Sequence, residues 1–450
     1  MATKPIWFRL CGLFAAAGML LATSAAWAQS NNALFANRAV GGVMIDASGM
    51  LQAAALDARG EIRKIWQQNR QTPPAGLTEA AAKRRISLKN LEATLAEYAS
   101  RGEPLPEAVQ CLGGLTEIDY VLVYPEQNDI VLVGPAEPWQ VNEKGAFVGA
   151  VSGRPTMLLD DLIVALRAVF APQPAVFSCS IDPTAEGSQR LRAYFAQLRT
   201  RRAFPQAEQV KAAFGPQVVS VQGVPADSHF ARVLVAADYH MKRISMGVEQ
   251  APVAGLPSFM QLVMQSRRVP SNMLPRWWLA PDYQPVLKDE DGMAWHIQKI
   301  GVKTMVEADV FNQAGERETG AEKVDPVFKQ WAELMTQRYE ELAVAEPVFG
   351  ELRNCMELSV VAACIAHENL LQKANLEIPT MLEGVDRVTL PTPKQVAPET
   401  VAGKIGRNWV FATGGVMINP WQIVTEAQVD AAADVRAQLG YAIGENWWAN

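Results

Sequence analysis

Two adjacent carboxylates near an arginine are the first residues in this sequence whose types could do chemistry. Asp160 and Asp161 lie shortly after Arg154. Repulsion between neighbouring carboxylates raises the pKa of one, and an arginine lowers the pKa of the other, so the trio could supply an acid and a base. Adjacent residues on a helix point about 100° apart, however, so the pair shares one site only within a helix cap. The structural alternative is that both aspartates match the positive end of a helix predicted over 162–170.

A polar stripe on a helix predicted over 228–245 is the second candidate. At about 100° per residue, five of its side chains line one side of the helix, next to an apolar face. They are His229, Arg232, Ala236, His240 and Arg243. With His229 near the positive helix start, the stripe could bind an anion or a carboxylate. A solvated flank beside a core face gives the same pattern and is the commoner explanation.

Three residues of a predicted strand, Arg276, Trp277 and Trp278, form the third candidate. Neighbouring residues of a strand point to opposite faces, so at most one tryptophan packs inward. The other could stack on a sugar or a proline-rich peptide, and Arg276 could stack with it or pair with a carboxylate. Burial under a loop is the alternative. Together, the three groups give the predicted binding residues: Arg154, Asp160, Asp161, His229, Arg232, Arg276, Trp277 and Trp278.

The spaced motifs of common catalytic, metal and cofactor sites do not occur in the sequence. His367 and Glu368 begin like the helix of a zinc protease, but Leu371 stands where the second histidine is needed. The sequence has four histidines, and no two of them have metal-ligand spacing. We therefore predict no catalytic set, no metal site and no cofactor.

Hydrophobic patterning predicts a mixture of helices and strands. Beyond those named above, helices are expected over 88–100, 185–202, 327–339 and 352–374, and hairpins over 118–134 and over 293–311 around Gly301. The segment Gly41–Asp46 (GGVMID) recurs almost unchanged as Gly414–Asn419 (GGVMIN). Helices and strands do not alternate strictly, so the sequence predicts an α+β fold in one large unit. Its N- and C-terminal strands could share a sheet.

The first residues have the plan of a secretory signal peptide. Lys4 and Arg9 precede an uncharged run, Leu10–Ala28, which ends in Ala-Trp-Ala, so cleavage is expected after Ala28. An uncleaved anchor is the alternative, because these 19 residues approach the roughly 20 that cross a bilayer. We expect an exported chain, periplasmic or extracellular, with no membrane span after cleavage. Its predicted divisions are a signal peptide (1–28), an α+β domain (29–384), a Pro-marked connector (385–404) and a strand segment that packs back on the domain (405–450).

Composition and charge exclude several classes of protein. With 49% hydrophobic and 20% charged residues, the chain is an ordinary globular one. Loss of the two basic residues of the signal peptide would change the net charge of −6 to −8, which gives no reason to bind nucleic acid or an anionic membrane. Four cysteines remain: Cys111, Cys179, Cys355 and Cys364. Separate buried thiols are expected, with a disulfide between Cys111 and Cys179 as the alternative.

Several short segments, taken in order, resemble an uncharacterised family of exported planctomycete proteins, a domain of unknown function. They are Gly41–Asp46, Gly153–Pro155 with Leu159–Leu162, Gly223–Lys242, Pro275–Tyr283, Pro347–Asn354 and Gly414–Asn419. The resemblance covers about residues 41–419 and implies an exported protein with one family domain. It implies no activity, cofactor or functional residue.

Two functions follow from these observations. The first is a non-catalytic exported protein that binds an unknown protein or glycan partner, or contributes structurally to the cell envelope. The alternative is a hydrolase acting on glycan or peptide, in which Asp160 or Asp161 is the acid or base and Trp277 or Trp278 holds a glycan. The hydrolase requires two carboxylates about 5–9.5 Å apart that face one cleft.

Overall fold

A computed structural model describes eleven stretches of the chain. They are residues 40–46, 48–53, 64, 72–173, 176–202, 205–266, 275–299, 301–306, 325–398, 412–430 and 435–450. The predicted signal peptide with its cleavage site after Ala28 lies outside the described residues, and so does part of the predicted connector.

The larger of two main sheets has eight strands. In spatial order they are β1 (Val43–Ile45), β2 (Met50–Ala53), β14 (Gln395–Val396), β9 (Gln217–Gln222), β8 (Phe177–Pro183), β15 (Thr413–Ile418), β10 (Arg276–Asp282) and β13 (Gly301–Val306). Most neighbours are antiparallel, but β14 runs parallel to β2 and β15 runs parallel to β10. Strands distant in sequence are therefore neighbours in this sheet.

The smaller main sheet has seven strands. In spatial order they are β16 (Gln428–Val429), β11 (Leu287–Lys288), β12 (Ala294–His296), β4 (Tyr120–Tyr124), β5 (Asp129–Ala136), β3 (Ala81–Ser87) and β17 (Trp448–Ala449). A separate two-stranded sheet pairs β6 (Trp139–Val141) with β7 (Phe147–Gly149). The predicted hairpin over 118–134 is confirmed as β4 and β5, joined by a 3₁₀ turn over Pro125–Gln127.

Helices surround and connect the sheets. They are α1 (Leu88–Arg101), α2 (Glu107–Gln110), α3 (Leu159–Val169), α4 (Ala185–Arg201), α5 (Ala207–Phe214), α6 (His229–Met246), α7 (Phe259–Ser266), α8 (Pro326–Gln337), α9 (Tyr339–Ala345), α10 (Pro347–His367), α11 (Leu370–Lys373), α12 (Pro420–Thr425) and α13 (Val435–Leu439). With mixed, mainly antiparallel sheets, this confirms the predicted α+β class.

Serine caps fix where two of the predicted helices begin. The Ser87 hydroxyl accepts a hydrogen bond from the Asn90 backbone N–H before α1, and the Ser228 hydroxyl accepts one from Ala231 before α6, each at 3.0 Å. Each serine thus satisfies one backbone donor that the first turn of a helix leaves without a partner. The start of α6 places His229 at its first residue, where the stripe of polar residues begins.

Helix α10 is the centre of the core. Its residues from Pro347 to Ile365 are all buried, and it packs against α3, α6, α9 and α12. An apolar helix of this kind is stabilised from every side, which is why its sequence lacks a polar face. One hydrophobic core contains residues of α10 and of both main sheets. All four cysteines outside the predicted signal peptide are buried thiols, and the alternative disulfide between Cys111 and Cys179 is not formed in this structure.

The hairpin predicted around Gly301 is wrong. Its first strand, β12, pairs with β4 and β11 in the smaller sheet, whereas its second, β13, pairs with β10 at the edge of the larger sheet. The local pattern predicts two strands and a turn between them, but it does not show which strands of the fold each one pairs with. The two GGV segments do lie in one sheet, as β1 and β15, with four other strands between them.

Candidate functional site

One candidate pair from the sequence meets in space: Asp161 in the first turn of α3 and His229 at the start of α6. The His229 Nδ1 atom lies 3.0 Å from both carboxylate oxygens of Asp161, which is only 3% exposed. Burial lowers the pKa of the His229 imidazole. The charge and the hydrogen bond of Asp161, with smaller effects of Glu351 and Asp160, together outweigh burial and raise the pKa to about 9. The imidazole is therefore positively charged at neutral pH, and the pair is an internal ion pair between two helices.

Asp160 does not share this site. Its Oδ1 accepts a hydrogen bond from the Val388 backbone N–H at 3.2 Å. Burial raises the pKa of the Asp160 carboxyl to about 6, and the charge of Asp161 adds to the effect. The two aspartates point to different partners because adjacent residues on a helix diverge by about 100°. Nearby on α10, burial raises the pKa of the Cys355 thiol well above its ordinary value, so this cysteine is no nucleophile.

Arg154 belongs to another charged group. Its guanidinium lies 3.2 Å from a Glu117 carboxylate oxygen and 3.4 Å from Glu340, and Glu340 also faces Arg353 and Lys299 at 3.4 and 3.1 Å. The first sequence candidate is therefore divided: Arg154 pairs with these glutamates, while Asp161 pairs with His229.

The sequence analysis missed a buried acid beside this group. Glu357 is 1% exposed on α10, and one of its oxygens accepts a hydrogen bond from the Ile118 backbone N–H. Burial, and then the charge of Glu117, raises the pKa of the Glu357 carboxyl to about 8. A signal was present in the sequence, because Arg353 and Glu357 are spaced by four residues in a mainly apolar helix.

The polar stripe of α6 faces the interior, so the expected solvated flank is wrong. Arg232 and His240 are 3% and 6% exposed. The Arg232 guanidinium donates to the Pro391 carbonyl at 2.6 Å. The His240 Nδ1 atom lies 2.9 Å from the Glu249 carboxylate, and its Nε2 lies 2.8 Å from the Gly41 carbonyl oxygen. The stripe does bind carboxylates, but they are those of Asp161 and Glu249 in the same chain.

A second ion pair of α6 ties this helix to the larger sheet. The Lys242 ammonium, 4% exposed, donates to the Asp238 carboxylate at 2.8 Å and to the carbonyls of Ile181 and Gly414 at 2.9 and 3.0 Å. A buried ammonium needs this full set of partners. The sequence signal was again a charge pair at a spacing of four, which the search for catalytic motifs did not use.

The adjacent tryptophans of β10 point to opposite faces of the larger sheet, as predicted. Trp277 is fully buried, its ring lies 4.4 Å from that of Trp331, and its indole N–H donates to the Phe328 carbonyl at 3.3 Å. Trp278 is partly exposed on the other face. Trp277 is thus a core residue, and its predicted role in binding is wrong because its ring is enclosed by α7 and α8.

Gly415 makes room for Trp278. These residues are paired neighbours in β15 and β10, and a Cβ atom on Gly415 would lie 2.9 Å from Cζ3 of the Trp278 ring. The ring therefore lies over the bare backbone of β15. Above the ring, at 5.5 Å, is the Arg276 guanidinium, which reaches to within 3.6 Å of the Asp182 carboxylate on β8. Cation–π stacking and the ion pair together orient Arg276 across the surface of the sheet.

The surface around Trp278 is a partly exposed sheet face, which we name the open face. Strand pairing and the alternation of exposure place its side chains on one side: Met44, Met50, Gln52, Ser178, Ser180, Asp182, Val218, Ser220, Gln222, Arg276, Trp278, Asp282, Lys303, Met305, Gln395 and Met417. Helices α6 and α8 pack on the opposite side, with Trp277, Cys179 and Ile181. Met44, Trp278, Met305 and Met417 lie outside the hydrophobic core of the described residues.

Comparison with known proteins finds one family. Residues 179–259 match a family described as "protein of unknown function (DUF1598)". The matched segment runs from β8 to the first residue of α7, and so includes β9 and α6. It contains Asp182, His229 and Lys242 but not Trp278. No curated protein and no solved structure matches the chain.

Two searches of the described residues complete the description of the site. No group of three or more His, Cys, Asp or Glu side chains in these stretches is arranged to hold a metal ion. No helix within them is both long and apolar enough to cross a membrane.

Proposed function

We propose that this chain is an exported, non-catalytic protein that binds a protein partner of the cell envelope through the open face. The observation that carries the proposal is that the larger sheet buries one face against helices, while on the other face Met44 is exposed and Trp278, Arg276 and three further methionines are only half-buried. The signal-peptide pattern and the resemblance to exported planctomycete proteins support the compartment.

The composition of the open face favours a protein partner with an apolar surface. Tryptophan, methionine and arginine are the residues enriched at the centres of protein interfaces. Methionine is also adaptable, because its unbranched side chain fits surfaces of different shape. The face carries serines between its larger side chains, so a partner can approach the backbone closely along β8 and β9.

The contacts of Asp160 and Asp161 favour a binding function over hydrolysis. Both oxygens of Asp161 contact His229, and Asp160 accepts a backbone hydrogen bond. Both carboxylates thus make contacts that hold elements of the fold together. Asp160 and Asp161 do not form the acid–base pair that the hydrolase would need.

A site-specific crosslinking experiment in the native cells tests the proposal. A photoreactive residue at Ser180 or Ser220, both on the open face, is expected to form one crosslinked adduct with an envelope protein. The same residue at Ala96, exposed on α1, is the control and is expected to form none. Combining Trp278→Ala with the Ser220 probe should abolish the adduct while the melting temperature stays within a few degrees.

Two outcomes contradict the proposal. One is equal crosslinking from Ala96 and Ser220, and the other is an adduct that survives Trp278→Ala. Export is tested on the same samples, because the protein should be recovered outside the cytoplasm with Gln29 as its first residue. Recovery from the cytosol with Met1 retained would contradict the proposed compartment.

A further inference from the structure

A cleft on the smaller-sheet side of the molecule is separate from the open face. Its volume is about 270 Å³, and its walls include Tyr98 of α1, Trp139 of β6 and Trp447, with Glu107 of α2 beside them. The hydroxyls of Thr72 and Thr94 and three prolines complete most of the lining. Ligand cavities usually measure about 300–1,000 Å³, so this cleft suits one ring-sized group.

Two of the aromatic walls, Trp139 and Trp447, belong to the hydrophobic core. Trp139 is 1% exposed, and its indole N–H donates to the Glu107 carboxylate. Trp447 is 9% exposed, and its carbonyl accepts a hydrogen bond from the Ser87 backbone N–H at 2.9 Å. Side chains already packed in the core lose little further conformational freedom when a ligand binds against them.

The chemistry of the lining selects a class of ligand. Aromatic faces pack against the C–H face of a sugar ring, while a carboxylate and hydroxyls exchange hydrogen bonds with its hydroxyl groups. The Thr94 hydroxyl donates to the Asn90 carbonyl at 2.8 Å, which leaves its oxygen able to accept. The polar groups of the described lining are one carboxylate and several hydroxyls, which match the hydroxyl groups of a neutral sugar.

We propose that this cleft is a binding site for the ring of a neutral sugar, with Trp447 and Tyr98 as stacking surfaces and Glu107 as hydrogen-bond acceptor. An organic cation such as trimethylammonium also favours aromatic rings near a carboxylate. A trimethylammonium group could not exchange hydrogen bonds with the hydroxyls of Thr72, Thr94 and Tyr98, which is why we favour the sugar. The site lies outside the matched segment, and it goes beyond the partner binding proposed above.

Isothermal titration of the full chain, with tryptophan fluorescence as a second signal, tests this site. The probes are chitotetraose, cellotetraose and maltotetraose as neutral sugars, glucuronic acid as an acidic sugar and choline as a cation. At least one neutral sugar is expected to bind saturably. Glu107→Gln keeps the shape of the side chain and should weaken that binding at least about tenfold, since a hydrogen bond to a charged group is lost. Trp447→Ala should abolish it.

The controls separate this proposal from the partner proposal. Trp278→Ala, on the open face, should leave sugar binding unchanged, and Glu107→Gln should leave the crosslinked adduct unchanged. Circular dichroism shows whether Trp447→Ala still folds, and Glu107→Gln decides the result if it does not. The sugar site is overturned if none of the three neutral sugars binds, if choline alone binds, or if sugar binding is unaffected by Glu107→Gln.

Discussion

The two main sheets share one hydrophobic core but differ on their outer faces. On the smaller sheet, Leu122, Tyr124 and Val131 point outward, and the chain covers them with its own residues Leu439, Tyr441 and Ile443. The Tyr124 hydroxyl donates to the Gly440 carbonyl at 3.0 Å, which ties this cover to the strand beneath. On the larger sheet, the corresponding face presents Trp278 and methionines that lie outside the core of the described residues.

This difference distinguishes apolar residues that stabilise the fold from apolar residues that remain available to bind a partner. A covered outer face stabilises the chain, because its side chains leave water when the chain folds. A partly exposed face contributes less to folding, and its apolar area becomes fully buried only against another molecule. Substitutions on the outer face of the smaller sheet should therefore lower the free energy of unfolding. Substitutions on the open face should weaken partner binding and change the free energy of unfolding little.

The largest predicted contrast is between the adjacent tryptophans of β10. Trp277→Ala removes a buried ring and should lower the free energy of unfolding by about 3–5 kcal/mol. Trp278→Ala should lower it by about 1 kcal/mol or less, since its ring is partly exposed and loses mainly the contact with Arg276. Urea unfolding of the two variants measures the difference. Equal losses would show that Trp278 is also a core residue.

Charges on the inner side of the larger sheet should make stability depend on pH. The pKa of His229 is raised to about 9 from 6.5 by Asp161, with Asp160 of α3 and Glu351 of α10 adding to it. The stabilisation is full below pH 6.5 and is lost as the pH rises through 9, by up to about 3 kcal/mol. Asp161→Asn should therefore destabilise the protein most at pH 6 and least near pH 9.5.

Thermal unfolding of both proteins across that range checks this prediction. The raised pKa values of Asp238 and Glu357, about 7 and 8, are common to both proteins. The pKa of Asp160 is raised to about 6 by burial and partly by Asp161, so Asp160 affects the difference mainly near pH 6, and the change between pH 7 and 9.5 reports on His229. A difference that does not change with pH would contradict the assignment of His229 as a charged partner.

On the outer face of the smaller sheet, Tyr441→Ala should have an intermediate effect. Its hydroxyl donates to the buried Asp129 carboxylate at 3.0 Å, and its ring lies 5.1 Å from that of Tyr124. The expected loss is about 1–2 kcal/mol in urea unfolding, from lost packing and a lost hydrogen bond. A loss no larger than that of Trp278→Ala would remove the distinction between the two outer faces.

The smallest effect on stability is expected for Ser220→Lys on the open face. Ser220 is exposed on β9, so the free energy of unfolding should change by no more than about 0.5 kcal/mol. The same change places a charge in the proposed interface and should weaken the pull-down of the envelope partner. Unchanged recovery of that partner from the Ser220→Lys variant would place the interface elsewhere.

The sequence predicts those parts of the fold that depend on local patterns. Ser87 marks the start of α1, and the alternation of a strand separates Trp277 from Trp278. The two GGV segments show the limit of such reasoning. Gly42 has a φ of +67°, which glycine adopts readily in a turn, whereas its equivalent, Gly415, lies within a strand under the Trp278 ring. The same short sequence has different backbone conformations in the two places, because its neighbours in space differ.

The candidate site was harder to predict, because its pairings join distant parts of the chain. The partner of His229 is Asp161 and the partner of Arg232 is Pro391, and no local spacing connects either pair. A polar stripe beside an apolar face has the same pattern whether water or carboxylates meet it. The open face is likewise a property of eight strands, most of which are not neighbours in sequence.

Oxidative footprinting of the open face in living cells tests the partner proposal most directly. Met305, Met417 and Trp278 should react readily in the purified protein and several-fold more slowly in intact cells, where the partner covers them. Met264 on α7, which is 54% exposed, should react equally in both and serves as the internal control. Equal reactivity of Met305, Met417 and Trp278 in cells and in the purified protein would contradict the account.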